Sequence, residues 1–287
     1  MLLTVLTETD GYIANPPGIE LLYFRLDVNS NKINQYLFRM GAIEFVGAPG
    51  AGKSTIHRNL IQYEKWYQPE PRIACKRRFL DTAKLRYRTV YRGMPSRLKS
   101  FFVKAFLTDR YQREAVERFS IEQPTAMQSI AAGIGAVERQ PEILFSLLRR
   151  AMERYQLGIQ TVRTKEQLCL DESFALYAVA ILWREPSGAF SLEKYLQETP
   201  TPEVLVHVRA PPDKCIKRQR ERGRIGIPQW ERDDTLLELQ AEFQSLCATI
   251  AEKQRAKTNV VEVETTDSLN EAVECVKNAL RSFEADC

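Results

Sequence analysis

The stretch Gly47-Ala48-Pro49-Gly50-Ala51-Gly52-Lys53-Ser54-Thr55 constrains this chain more than any other. It fits G-x-x-x-x-G-K-[ST], with Gly47, Gly52, Lys53 and Ser54 at the fixed places. A loop that wraps a phosphate chain in backbone N–H groups needs glycines, because they tolerate φ > 0 and close backbone approach. The lysine then reaches the β- and γ-phosphates, and the serine hydroxyl binds Mg²⁺. The flanks agree. Residues 42–46 are an apolar run readable as a buried strand, and residues 54–67 read as a helix with Ile56, Leu60, Ile61 and Tyr63 mostly on one side. The free N–H groups and dipole of that helix face the same anion. Lys53 is expected to stand exposed at the loop, pairing only with ligand.

Composition narrows the class. Of 287 residues, 44% are hydrophobic and 27% charged, an ordinary globular balance with enough apolar residues for a core. The apolar run at 173–183 is too short to span a bilayer. Leu2, Leu3, Val5 and Leu6 lack a basic region before them and a long apolar region around them, so they make a poor signal peptide. A cytoplasmic protein with no membrane partner is expected. Cys75, Cys169, Cys215, Cys247, Cys275 and Cys287 form no C-x-x-C pair, and His57 and His207 have no second ligand type nearby. Free thiols in a reducing compartment are expected, not a zinc site.

Residues 1–39 are an N-terminal extension to a main domain at 40–287. Phe24-Arg25-Leu26-Asp27-Val28 alternates as a half-buried strand does, and Asn15-Pro16-Pro17-Gly18 is a turn signal. Two readings stay open: a strand pair added to the sheet edge, or a leader ahead of a natural start at Met40. Residues 68–160 are a basic and helical insertion on the acceptor side. From 72 to 104 there are eleven basic residues against the single acid Asp81, a local balance of +10 in a chain whose total is +4. Phe79, Tyr87, Tyr91, Phe101 and Phe102 are interleaved with them. Such a segment suits an anionic partner, or is a solvated face. A strand is expected at 73–79. Further on, Pro124 and Pro141 open helices, the second carrying Ile143, Leu144, Leu147, Leu148 and Met152 at helical spacing.

Gln167-Leu168-Cys169-Leu170-Asp171-Glu172-Ser173 is an apolar run that ends in two carboxylates before a helix. In a parallel sheet the strand C-termini face the ligand crevice, where an acid pair can hold Mg²⁺ or orient a hydroxyl. Ordinary N-capping by Asp171 or Ser173 is the plainer alternative. Residues 203–208 form another buried strand, followed by a proline turn and a helix rich in arginine up to Arg224. That cluster could close over phosphates. A long amphipathic helix at 236–253, a strand at 259–263 and a helix at 269–283 complete the chain. The pattern is α/β: a parallel sheet with strands beginning near 42, 168, 204 and 259, covered by helices on both faces.

Four pieces, in this order, resemble the P-loop small-molecule kinases of the nucleoside monophosphate kinase type: GAPGAGKST at 47–55, LDES at 170–173, VHVRAPPDKCIKRQRERGR at 206–224 and VVEVETTDSLNEAVECV at 260–276. The third looks most like the strand, turn and lid of thymidylate kinase-like proteins. The resemblance covers residues 40–283, closely only at its two ends. It implies the three-layer sandwich of P-loop NTPases, with ATP and Mg²⁺ as cofactors. It implies ATP contacts for Gly47, Ala48, Pro49, Gly50, Ala51, Gly52, Lys53, Ser54 and Thr55, and a metal held by Ser54 and Asp171. Asp171 would be the metal-side or hydroxyl-orienting acid, assisted by Glu172. Arg218 and Arg222 would be the lid pair, with Arg220, Thr265 and Thr266 near the adenine. Two departures stand out: Ser173 replaces a common glycine, and no nucleobase-monophosphate motif follows the first helix.

The expected function is ATP- and Mg²⁺-dependent phosphoryl transfer to a small, anionic acceptor such as a nucleotide or phosphorylated metabolite. The rivals are an NTPase acting as a nucleotide-gated switch, and one acting on nucleic acid. No N-K-x-D motif follows the loop, which disfavours GTP. The oligomeric state is open, with a homodimer as one option.

Overall fold

The computed structural model describes residues 42–62, 66–138, 140–164, 166–172, 174–185, 187–226, 235–266 and 269–285. The extension 1–39 lies outside them, as do Tyr63, Ser173, Asp267 and Ser268. Five strands form one sheet: β1 (Ile43–Val46), β2 (Trp66–Tyr67), β3 (Gln167–Leu170), β4 (Val204–Arg209) and β5 (Asn259–Glu264). Their order is β2-β3-β1-β4-β5 and every pairing is parallel. The four strands expected from the sequence are all present.

Side-chain alternation divides the core. Ile43, Phe45, Val204 and Val206 pack on one face, against α1 (Lys53–Leu60) and α12 (Leu269–Ala285). Val46 and Leu205 pack on the other face, with α8 (Phe174–Arg184) and α11 (Leu236–Gln254). Strands covered on both sides read as continuous apolar runs, which is why β1, β3 and β4 are visible in the sequence. The result is the three-layer α/β sandwich that the P-loop resemblance implies.

The fifth strand is not where it was expected. Residues 73–79 belong to α2 (Pro71–Thr82), and the edge strand is the short β2 before it. Pro71 sits in the first turn of α2, where its fixed φ favours a helix. Ala74, Cys75 and Arg78 then face inward at helical spacing. Helix α1 ends at Leu60, short of the expected 67, and residues 66 and 67 belong to β2.

Helices α3 (Leu85–Gly93), α4 (Ser96–Phe102), a π-helical turn (Val103–Thr108), α5 (Asp109–Glu122), α6 (Pro124–Ala136) and α7 (Pro141–Thr161) complete the insertion. Pro124 and Pro141 occupy first-turn positions, as their spacing predicts. Ala74, Cys75, Tyr91, Val103, Leu107, Tyr111, Ala115 and Leu157 make a second, smaller core under this arm. Helices α9 (Leu192–Glu198) and α10 (Pro212–Glu221) lie between β3 and α11 in sequence.

Candidate active site

The loop between β1 and α1 is fixed by what holds its carbonyls. Lys53 Nζ donates to Gly47 O and to Ala48 O, the latter at 3.1 Å. Gln219 and Gln240 both donate to Pro49 O, at 3.1 and 3.0 Å. Arg218 Nη1 lies 3.4 Å from Gly50 O and from Ala51 O, and the Thr265 hydroxyl donates to Ala51 O at 2.5 Å. Gly52 O accepts from Thr55 N and Ile56 N. Carbonyl and amide point opposite ways in a planar trans peptide. Pinning Pro49 O and Ala51 O toward α10, α11 and Thr265 therefore turns the Gly50 and Gly52 amides the other way. Those amides and the amides of Lys53 and Ser54 at the start of α1 are groups that could bind an anion.

Glycine is required here by geometry. Gly50 has φ +83°, and a Cβ there would stand 2.3 Å from Cys215 O on α10. No side chain fits between the loop and that helix.

The glutamine pair is tied into the rest of the lid region. Gln219 Nε2 lies 3.0 Å from Gln240 Oε1, and Gly226 N donates to Gln219 Oε1 at 2.7 Å. Both side chains are buried. Gln240 is placed by α11, whose N-terminus carries a capping box: Thr235 Oγ1 accepts from Glu238 N, and Glu238 returns to Thr235 N. One hydrogen-bonded chain therefore runs from Gly226 through Gln219 to Pro49 in the loop between β1 and α1.

The acids sit at the end of β3, the neighbour of β1. Asp171 Oδ1 accepts from Arg154 Nη1 at 3.0 Å. Glu172 accepts from the Tyr177 hydroxyl at 3.2 Å. Arg154 reaches Asp171 because α7 lies close on β3. One turn later, a Cβ at Gly158 would stand 2.5 Å from Leu168 Cδ1. Burial pushes the Tyr177 hydroxyl up, and the charge of Glu172 adds to that, so Tyr177 keeps its proton and donates it.

Lys53 departs from expectation. It is half-buried and turned onto its own loop, not exposed. Burial lowers its pKa, with Glu172 and Asp171 among the opposing charges. His57, one turn along α1, is buried, lies 3.4 Å from Cys169 O and is held low by burial. Cys247 is buried and pushed up to about 12, so it is a thiol and not a nucleophile.

Ser54 is exposed and Thr55 half-buried in the first turn of α1. Arg218, from the expected lid pair, is held at the loop: Nη1 donates to Thr265 Oγ1 at 2.9 Å and Nη2 to Thr265 O at 2.6 Å. Arg220 and Arg222 are exposed at the end of α10. Thr265 is buried, with its backbone N–H on Arg209 O at 2.8 Å, and acts as a strut under the loop. Thr266 is half-buried, and its carbonyl accepts from Lys214 at 2.9 Å.

Sequence reasoning missed Arg154, Tyr177, Gln219 and Gln240. Tyr177 stands five residues beyond Glu172, about a helical turn away, a spacing that could have been noticed. The other three are long-range partners with no local signature.

No family model matches the chain, and no curated protein matches it. Among solved structures, those of deoxyadenosine kinase from M. mycoides are similar at low identity. They are the form with bound dCTP (13% identical, TM-score 0.42), the form with products dCMP and a flexible dCDP (12%, 0.46) and the form with bound dATP (10%, 0.43). Each alignment covers 84% of this chain and 99% of that one. Similarity at this level says nothing about which reaction the chain performs.

Proposed function

We propose that the chain is a phosphotransferase that moves a phosphoryl group from ATP to a small anionic acceptor. The observation that supports it most is the run of pinned loop carbonyls, which presents amides and Lys53 to one anion at a helix N-terminus. Ser54 and Asp171 are the residues that would hold Mg²⁺, and they fit it. Both are oxygen donors, one in the first turn of α1 and one at the end of the adjacent strand. When bound, the ion neutralises charge on the phosphates.

This chain's own residues do the rest. The loop amides bind and orient the donor phosphates. Lys53 leaves Gly47 O and Ala48 O to meet them, which trades two neutral acceptors for an anion. Asp171, steered by Arg154, faces the acceptor hydroxyl or the metal, and Glu172 is oriented by Tyr177. Arg222 comes in from the lid. Arg218 already stands at the loop. Thr266 and Arg220 contribute to the adenine side. Catalysis comes from positioning and electrostatics.

An anionic acceptor is supported by Arg154, a cation held beside the acids with Nη1 on Asp171 Oδ1. Nucleoside monophosphates are the first acceptors to test. ATP consumption is measured against panels of nucleotides, sugar phosphates, nucleosides and neutral sugars, with product analysis. ADP formed in step with a phosphorylated anionic acceptor is the expected result. ADP and free phosphate in equal amounts, with no acceptor product, would make the chain a hydrolytic switch.

A further inference from the structure

The arm α3–α4 with its π-helical turn carries surface that neither the core nor the proposed reaction uses. Between Lys84 and Thr108 there are seven basic residues and no acidic one. Apolar side chains stand outside on the same stretch: Leu85 is 72% exposed, Val90 60%, Leu98 55%, Phe101 63% and Phe106 60%. The inward positions are already filled. Phe79, Tyr91 and Phe102 form a cluster of rings 5.5–5.9 Å apart, and Val103 and Leu107 are buried beside it. The outward residues lie mostly outside that core, with Phe106 touching it through Phe102 at 5.6 Å.

Backbone geometry gathers three of them. Leu98 and Phe101 are three residues apart on α4, hence on one face. In a continuous α-helix, residues 101 and 106 would diverge. The π-helical turn at Val103–Thr108 changes that, and the Phe101 and Phe106 rings meet at 6.4 Å, edge to face. Arg97 and Lys104, both exposed, flank the knob on the same helical run. Contiguous exposed apolar surface rimmed by charge marks an interaction site.

We propose that this face docks on an anionic phospholipid surface, with Leu98, Phe101 and Phe106 entering the interface and the surrounding Lys and Arg side chains meeting the headgroups. Phe and Leu beside a dense, uncompensated positive charge are the chemistry of interfacial binding. Nucleic acid is the weaker fit. The two rings are packed against each other rather than presented as stacking platforms, three of the exposed apolar residues are aliphatic, and the stretch 84–106 holds no Asn, Gln or His to read a base. No helix among the described residues is long and apolar enough to cross a membrane, and surface docking requires none. This proposal goes beyond the expectation of no membrane partner and stands apart from the phosphoryl-transfer site.

The test is co-sedimentation of the full chain with vesicles of phosphatidylcholine alone and of phosphatidylcholine mixed with phosphatidylglycerol. Binding to the mixed vesicles only, weakening with salt, is expected. The pair Phe101→Ser and Phe106→Ser should abolish it while lowering the melting temperature by only a few degrees, since both rings are largely exposed and only Phe106 touches the aromatic cluster, through Phe102. The pair Phe101→Leu and Phe106→Leu should retain it. Arg97→Ser with Lys104→Ser should weaken it roughly thirtyfold, at about a fivefold loss per cation near the surface. Three results overturn the proposal: no binding to the mixed vesicles, equal binding to both vesicle types, or binding that the serine pair leaves intact. Tighter binding to a single-stranded oligonucleotide, lost in the same variants, would reassign the face to nucleic acid.

Discussion

The phosphate loop and the basic arm look alike in the sequence, since each is a positively charged stretch suited to an anion, but they are built in opposite ways. In the loop each carbonyl from Gly47 to Gly52 has a partner, drawn from Lys53, α1, α10, α11 and the segment after β5. In the arm the charge divides. Arg77 makes two hydrogen bonds to Glu166, at 2.6 and 3.0 Å, and lies 4.1 Å over the Tyr67 ring. Arg78 is buried between Glu114, Gln160 and Tyr111. These two cations hold α2 to its neighbours. Arg97 and Lys104 are exposed. A net charge of +10 thus sums two populations with different work. Charge reversal at Arg77 and Arg78 would therefore break packing rather than probe acceptor binding.

The sharpest way to break the comparison is at Lys53. Lys53→Met should lower turnover by about 10²–10³-fold. It should not lower stability, because in the folded chain the ammonium is desolvated and meets only carbonyls. Burial holds the folded pKa below 10.5. The unfolded chain therefore binds more protons as pH rises through the folded value, and wild-type stability climbs with pH up to about 10.5. Denaturant melts of wild type and Lys53→Met across that range check this. A variant that shows the same climb would place the titration elsewhere.

Next in size is Asp171→Asn. It removes the charge that Arg154 steers, and the apparent Mg²⁺ affinity should fall about 10–100-fold. Turnover measured against Mg²⁺ concentration gives the answer. An unchanged Mg²⁺ curve with lower turnover would make Asp171 a hydroxyl-orienting acid and not a metal ligand.

Gln219→Leu and Gln240→Leu test whether the loop is held from outside. Each removes one donor to the half-buried Pro49 carbonyl and leaves the other in place, so each single change should raise the KM for ATP only a few-fold. The double change leaves that carbonyl unsatisfied, at about 1–3 kcal/mol, and should exceed the sum of the two. Strict additivity would show that the two glutamines do not share this role.

Much of this was legible beforehand. The loop motif is local, so its glycines, its flanking strand and its helix could be read from nine residues. Strands buried on both faces announced themselves as apolar runs, and prolines announced two helix starts. What failed was mostly longer in range. The strand expected at 73–79 overlooked the helix start that Pro71 offers, and contacts with α7 and the π-helical turn complete the helix. Lys53 was placed in solvent because the motif names its ligand and not its resting partners. Gln219, Gln240 and Arg154 are ordinary residues until the fold brings them to Pro49 and Asp171.

The smallest expected effect separates the arm's two populations directly. Arg77 and Glu166 are mostly buried, with side chains 22% and 14% exposed, so their charge-assisted pair is not the weak surface kind. Arg77→Ala also uncovers one face of Tyr67 on the edge strand, and it leaves Glu166 without its partner beside Arg163 N, which still donates at 3.1 Å. The expected loss is about 2 kcal/mol, or roughly 4–8 °C in melting temperature for a domain of this size. Arg97→Ala removes an exposed cation and should change stability by no more than about 0.5 kcal/mol. Thermal melts of the two variants side by side, in low and in high salt, make the measurement. Salt should leave the Arg77→Ala deficit largely intact, because a mostly buried pair is screened little. A deficit that vanishes in high salt, or an Arg97→Ala deficit of equal size, would mean the arm's cations form one population after all.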